Sequence, residues 1–306
     1  MELHGSAPLA PPHRACAPRP PSVHAICRSF FGNRFIYTVI SQRARGLSIG
    51  VNLNPDKFCN FDCVYCEIDR SEVPASPRIE IDVMTAELRT MLGRACAGQM
   101  REMPGYESVP NELLVLKELA LSGDGEPTLS PDFTEVVEAV VHLRAQRSYP
   151  YFKIVLITNA TGLHLPQVKQ GLKLFTSEDE IWAKLDVGSQ ACFEQINRPK
   201  RSQPNGPRVT LDRVMDNILE LGRQRSVIIQ SLFPLVEGKE PADEEIEQYV
   251  QRLRELKEGG AQISMVQVYS AHRPAIETNC GHLSLRCLSR IARRVREGAG
   301  LRAEVF

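Results

Sequence analysis

Three cysteines within eight residues, Cys59, Cys63 and Cys66 of "CNFDCVYC", constrain this chain more than any other feature. A disulfide needs two thiols and a closed structural zinc site needs four ligands, so three thiols on one short segment leave a coordination position to something else. The spacing i, i+4, i+7 would also fit one face of a helix, where free cysteine acts as a small core hydrophobe. The flanks oppose that reading, because Pro55, Asp56, Asn60 and Asp62 are poor helix residues and Phe61, Val64 and Tyr65 would point off the apolar face. Zinc held by three thiolates and a distant histidine such as His272 is a second alternative, although structural zinc sites usually use separated ligand pairs. A cubane [4Fe-4S] cluster suits the segment better, since three thiolates bind three irons and leave the fourth open.

Composition bears on where such thiols could survive. The chain has 306 residues and nine cysteines, and the remaining six, Cys16, Cys27, Cys96, Cys192, Cys280 and Cys287, are scattered. No run of about 20 apolar residues occurs, and the N-terminus lacks the apolar core of a signal peptide. Reduced thiols and a cytoplasmic address are the expectation. Thirty-seven basic residues balance 37 acidic ones, so net charge neither demands nor excludes RNA.

Residues 1–24 are rich in proline and alanine, offer little to bury and read as a disordered tail, with one domain expected over 25–306. Order should begin near "RSFFGNRFIYTVI". Beyond it, short runs rich in Val, Ile and Leu alternate with longer helical patterns, the signature of a parallel α/β fold. Strands are predicted at 47–53, 116–122, 153–158, 181–186, 227–233 and 263–269. Helices are predicted near 83–98, 131–146, 210–224, 243–258 and over "HLSLRCLSRIARRVRE". Six units are too few for the eight-stranded barrel, so a partial (β/α)6 TIM-like barrel is expected.

The CxxxCxxC pattern, with aromatic Tyr65 before its last cysteine, resembles the hallmark of the radical S-adenosylmethionine superfamily. Within it, the chain looks like the radical enzymes grouped loosely with tRNA wyosine synthases, but Glu67 stands where those usually carry tryptophan. The resemblance implies a [4Fe-4S] cluster whose electron cleaves S-adenosylmethionine to a 5′-deoxyadenosyl radical that takes hydrogen from a substrate. It also implies an electron donor such as flavodoxin or ferredoxin, and no membrane. "LSGDGEPTL" matches the superfamily's Gly-Gly-Glu-like element at Gly123, Asp124, Gly125 and Glu126, which implies contact with the methionyl amine. By the same resemblance, Thr158 and Asn159 at the third strand end would meet the ribose or carboxylate.

Alternation along "EIWAKLDVG" puts Trp182, Lys184 and Asp186 on one face and Ile181, Ala183 and Leu185 on the other. A cation and a carboxylate would then point into the barrel, which is costly unless they pair or bind something, so Lys184 and Asp186 are catalytic candidates. The cysteines, GDGEP and TNAT follow strands one to three, and Asp186, Gln230 and Tyr269 fall at or near the ends of strands four to six, so all should converge on one barrel mouth. The substrate is expected to be a peptide or small molecule. RNA is the alternative, on the strength of Arg286, Arg290, Arg293 and Arg294 along the last helix and the basic loop 198–208. A non-catalytic zinc or iron–sulfur module is the rival of another class.

Alanine at Cys59, Cys63 or Cys66 is expected to abolish iron loading in anaerobic reconstitution, while alanine at Cys280 plus Cys287 leaves iron content unchanged. A Cys59→Ala protein with full iron would overturn the cluster assignment.

Overall fold

The computed structural model describes residues 28–71, 76–201, 208–271, 275–277 and 279–306. The tail expected over 1–24, like His272, lies outside the described residues. In chain order the elements are β1 (Ile36–Ser41), β2 (Gly46–Asn52), α1 (Ile81–Cys96), β3 (Leu116–Ser122), α2 (Phe133–Ala145), β4 (Lys153–Thr158), α3 (Pro166–Leu172) and β5 (Glu180–Lys184). There follow α4 (Gln190–Ile196), α5 (Leu211–Gln224), β6 (Val227–Leu232), β7 (Pro234–Val236), α6 (Asp243–Glu258), β8 (Ile263–Tyr269), β9 (Cys280–His282), α7 (Leu285–Ala299) and β10 (Ala303–Val305).

One eight-stranded sheet runs in the order β1-β2-β3-β4-β5-β6-β8-β10. Every pairing in it is parallel except the β1–β2 hairpin. The sheet does not close, so the partial barrel expected from six βα units is present. Its apolar runs are buried on both faces, as parallel strands covered by helices require. The main core fills the space between sheet and helices and takes in Leu119, Leu121, Leu156, Ile181, Ala183, Ile229 and Val266.

Four features escape the sequence pattern. β1 adds an antiparallel strand at one edge and β10 a parallel one at the other. β7 and β9 pair as a separate two-stranded ribbon, and α3 and α4 are helices of 7 residues each. Elements of two turns or three residues are too short to show a period. Three predicted strands also shift at their ends: the first begins at Gly46, the fourth spans 180–184 and the fifth stops at Leu232. Asp186 therefore sits just beyond β5, in the loop.

Alternation inside the sheet holds. Val155, Trp182 and Ile228 form a small apolar cluster of their own, with Ile157 and Met265 packed against it. Above them, toward the strand C-termini, a polar file crosses three strands. Lys184 Nζ donates to Tyr269 Oη at 3.2 Å, Tyr269 to Gln230 Oε1 at 3.2 Å, and Gln230 Nε2 to Gln267 Oε1 at 3.3 Å. Gly50 makes room for the inward Tyr37, because a Cβ there would lie 2.0 Å from its ring.

Toward the other end of the lumen Glu118 is only 1% exposed and its Oε2 has no partner. Burial pushes its carboxyl up to about 7, against the pull of Lys153. A carboxyl raised from 4.5 to about 7 stabilises the fold below pH 4.5, and that contribution is lost as pH rises to about 7. The wild-type melting temperature should therefore carry a component that falls across this window, and Glu118→Gln should remove it. Coincident pH profiles of melting for the two proteins would contradict this.

Candidate cluster and cofactor site

The segment Cys59–Cys66 has no helical structure, which removes the helix-face alternative. It runs as a loop whose backbone groups are paired by other elements. The segment after α4 braces one side: Val64 N donates to Ile196 O at 2.9 Å, Asp62 N to Asn197 O at 3.1 Å, and Lys200 N to Asn60 O at 2.8 Å. On the other side Glu126 N donates to Phe58 O at 3.0 Å and Ile276 N to Cys66 O at 3.0 Å. Buried backbone must be paired, and here distant segments supply the partners.

Twelve of the residues singled out in the sequence line one cavity of about 390 Å³ at the strand C-termini: Cys59, Cys63, Cys66, Tyr65, Gly123, Asp124, Gly125, Glu126, Thr158, Asn159, Lys184 and Asp186; Tyr269 joins them, and Gln230 does not. The sequence placed them there through strand ends alone. Their mutual contacts came only with the fold.

Glu126 is buried, and its carboxylate faces into the protein. Oε1 accepts from Thr128 N at 3.1 Å, Thr128 Oγ1 at 2.6 Å and Thr158 Oγ1 at 2.5 Å, and Oε2 accepts from Asn159 N at 2.7 Å. Burial raises its pKa, and these donors oppose the rise. Thr158 is thus committed to Glu126. The Asn159 side chain is committed as well, donating to Asn60 Oδ1 at 2.9 Å and accepting from Thr161 N at 3.0 Å and Thr161 Oγ1 at 2.6 Å.

The two glycines serve close approach, with no positive φ at either. A Cβ on Gly125 would lie 1.8 Å from Phe58 O, and one on Gly123 would lie 2.2 Å from Asn52 Oδ1. Without side chains, the GDGE turn can lie against the cysteine loop. Asp124 fixes it further, accepting from Arg28 at 2.8 Å and from Asn52 Nδ2 at 2.8 Å.

Asp186 gathers the opposite wall. Its Oδ1 accepts from Leu232 N at 2.8 Å and lies 3.2 Å from Lys184 Nζ, while Oδ2 accepts from Asn197 Nδ2 at 2.8 Å and from the Tyr65 hydroxyl. Burial, then the Asp186 charge, holds the Tyr65 phenol well above its ordinary pKa, so it remains a donor. Lys184 also lies over the rings of Tyr65 and Tyr269, 5.1 and 5.5 Å from their centroids. Four residues were not singled out in the sequence: Asn197, Asn52, Arg28 and Arg70. Only Arg70, four residues after Cys66, had a spacing that could have drawn notice.

The thiols suit metal ligation in type and exposure. All three are free and half-buried. Burial pushes Cys59 up to about 12 and Cys63 up to about 11, helped in the second case by Asp186. They must lose protons to bind iron. Among the described residues no three Cys, His, Asp or Glu side chains are placed to share a single metal ion. A [4Fe-4S] cluster makes a different demand, one iron for each thiolate.

A solved structure of TYW1 with a lysine-pyruvate adduct bound superposes with a TM-score of 0.54 at 14% identity, covering 87% of this chain and 84% of the other. Streptococcus suis SuiB matches with a TM-score of 0.54 at 15% identity over 87% of this chain and 51% of its own, and one SuiB structure has S-adenosylmethionine bound. Both are radical S-adenosylmethionine enzymes. The fold is the open, mostly parallel partial barrel that these structures share. A UPF0026 protein of Synechocystis is 30% identical over 165 residues, which is 54% of this chain and 52% of that one. A UPF0026 protein of Methanocaldococcus jannaschii is 28% identical over 181 residues, or 59% and 46%. The chain thus spans about half the length of the curated relatives it matches. No family model matches it. Within this barrel, the cysteine loop, the GDGE turn and the end of β4 share one mouth.

Glu126→Gln is expected to cost the fold about 1–3 kcal/mol, because a donor amide then faces donors, and differential scanning calorimetry would read the fall. Weaker binding of S-adenosylmethionine with an unchanged melting temperature would instead make Glu126 a direct ligand.

Proposed function

We propose that this protein is a radical S-adenosylmethionine enzyme whose Cys59, Cys63 and Cys66 hold a [4Fe-4S] cluster. One observation carries the reading: three free thiols on an irregular loop open into the same cavity as the GDGE turn and the Asn159 strand end. When bound, the cluster supplies the electron that cleaves S-adenosylmethionine to a 5′-deoxyadenosyl radical, which takes hydrogen from substrate. The chain's residues position and enclose that chemistry. The backbone of Gly123 to Gly125 lies where it can meet the methionyl end, and Asp186 holds the cluster loop through Tyr65.

Among substrates, a peptide or small molecule is favoured over RNA. The arginines of α7 that suggested RNA are partly neutralised by α6 and the segment before it: Arg290 pairs with Glu240 at 3.1 Å, and Arg294 pairs with Asp243 at 3.5 Å and with Glu247. In the basic loop Arg198 pairs with Glu277, and Lys200 lies 3.5 Å from Asp62. Paired arginines have less to gain from phosphate. Lys184 is not set for the adduct chemistry seen in TYW1. Burial works against its charge, but Asp186 and then Tyr269 outweigh that and hold its pKa up, and a protonated amine is no nucleophile.

We place the protein in the cytoplasm, acting as one domain over 25–306 with an electron donor such as flavodoxin or ferredoxin. No helix among the described residues is long and apolar enough to cross a membrane. Anaerobic purification tests the proposal: a brown protein with about four irons and four sulfides per chain supports it, and a colourless zinc protein removes it.

Lys184 and Asp186 are proposed to serve turnover as well as each other. Lys184→Met, which keeps most of the stem's volume, should fold and load its cluster yet lose most 5′-deoxyadenosine production. A buried pair of purely structural value behaves otherwise, since breaking it leaves an uncompensated charge worth about 3–5 kcal/mol. A large fall in melting temperature with normal specific activity in the surviving protein would therefore make the pair structural.

A further inference from the structure

The three cysteine sulfurs have unequal surroundings. Cys59 Sγ accepts from the backbone N–H of Phe61 at 3.5 Å, and Cys63 Sγ from the neutral amide of Asn197 at 3.6 Å. Cys66 Sγ accepts from Arg70 NH1 at 3.1 Å. That is the shortest of these contacts, Asn159 Nδ2 also lying 4.0 Å from Cys59 Sγ, and the donor is a full cation.

The guanidinium is fixed in place by what else it holds. Its Nε donates to Lys57 O at 3.0 Å and its NH2 to Asp124 O at 2.9 Å. One planar fork thus spans the residue before Phe58, the GDGE turn and the third cysteine, a task that a flexible ammonium could not reproduce. Among the described residues Arg70 forms no ion pair with a carboxylate. By contrast, Lys184 is paired with Asp186 and Arg28 with Asp124. Asp62 lies close enough to favour its charge, but no contact ion pair neutralises the cation that Arg70 brings to the edge of the cysteine loop.

We infer that Arg70 is a positioning residue that raises the reduction potential of the cluster by holding its charge against the Cys66 sulfur. This rests on the cluster reading proposed above. Hydrogen bonds to cluster sulfurs and the charge around them set the potential of iron–sulfur centres. The reduced cluster carries one more negative charge than the oxidised cluster, so a fixed cation favours reduction. The contact from NH2 to Asp124 O adds a consequence: the same side chain ties the cluster's electrostatics to the turn proposed to receive S-adenosylmethionine.

The test is a redox titration followed by electron paramagnetic resonance, without added substrate, on the reconstituted full chain as wild type, Arg70→Gln and Arg70→Lys. Arg70→Gln keeps a donor amide and loses the charge. It should load iron like wild type, while its ratio of reduced to oxidised cluster at a fixed potential falls about tenfold, equivalent to about 59 mV for one electron. Arg70→Lys should recover part of that loss. A loaded Arg70→Gln cluster with the wild-type midpoint overturns the inference and leaves Arg70 as a tie between loops. If wild type loads a cluster and neither variant does, Arg70 serves assembly and the inference again fails. A wild-type chain that loads no iron would instead defeat the cluster reading itself.

Discussion

The buried carboxylate of Glu126 is the constraint on which the mouth of the barrel depends. A charge with 2% exposure survives only if donors reach it. Four donors do so, from Thr128, Thr158 and Asn159. Satisfying this one group joins the turn after β3 to the end of β4, and its backbone N–H joins both to Phe58 beside the first cysteine. The loop that carries the thiols has little regular structure of its own, so its shape is inherited from these partners.

Asp186 does for the far wall what Glu126 does for the near one. It ties β6 through Leu232 N, the segment after α4 through Asn197, and the cysteine loop through Tyr65. Asn197 in turn reaches Cys63 Sγ at 3.6 Å. The cluster loop is therefore held between two buried carboxylates, each with its oxygens largely occupied. Preorganisation of this kind keeps a site dry and its geometry fixed, which the proposed radical chemistry would need.

Such occupancy changes how conspicuous polar residues should be interpreted. Glu126, Thr158 and Asn159 attract attention in the sequence as ligand contacts, and their side chains already have protein partners: Glu126 in Thr128 and Thr158, Asn159 in Asn60 and Thr161. Beside them, backbone, ring faces, the thiols and the paired cation Lys184 also line the mouth. Glycines at 123 and 125 serve close approach, Gly125 to the Phe58 carbonyl and Gly123 to the Asn52 side chain.

Much of this was legible in the residues. The cysteine spacing, the six apolar runs and the alternation of Trp182, Lys184 and Asp186 gave the fold class, the shared mouth and the inward pair, because period and spacing are local properties that survive folding. The short β10, α3 and α4 were not legible, since a few residues carry no period. Nor were the partners of Asp186, or the approach of Arg70 to Asp124 and of Asn197 to Cys63. Those contacts join residues 54 and 134 positions apart, and no local pattern encodes a meeting between side chains so distant along the chain. The sequence by itself determined that three thiols share one loop and which end of the barrel holds them. Only the tertiary structure decided which polar groups neutralise one another and which charge is left facing the sulfur, because burial and pairing are set by neighbours in space.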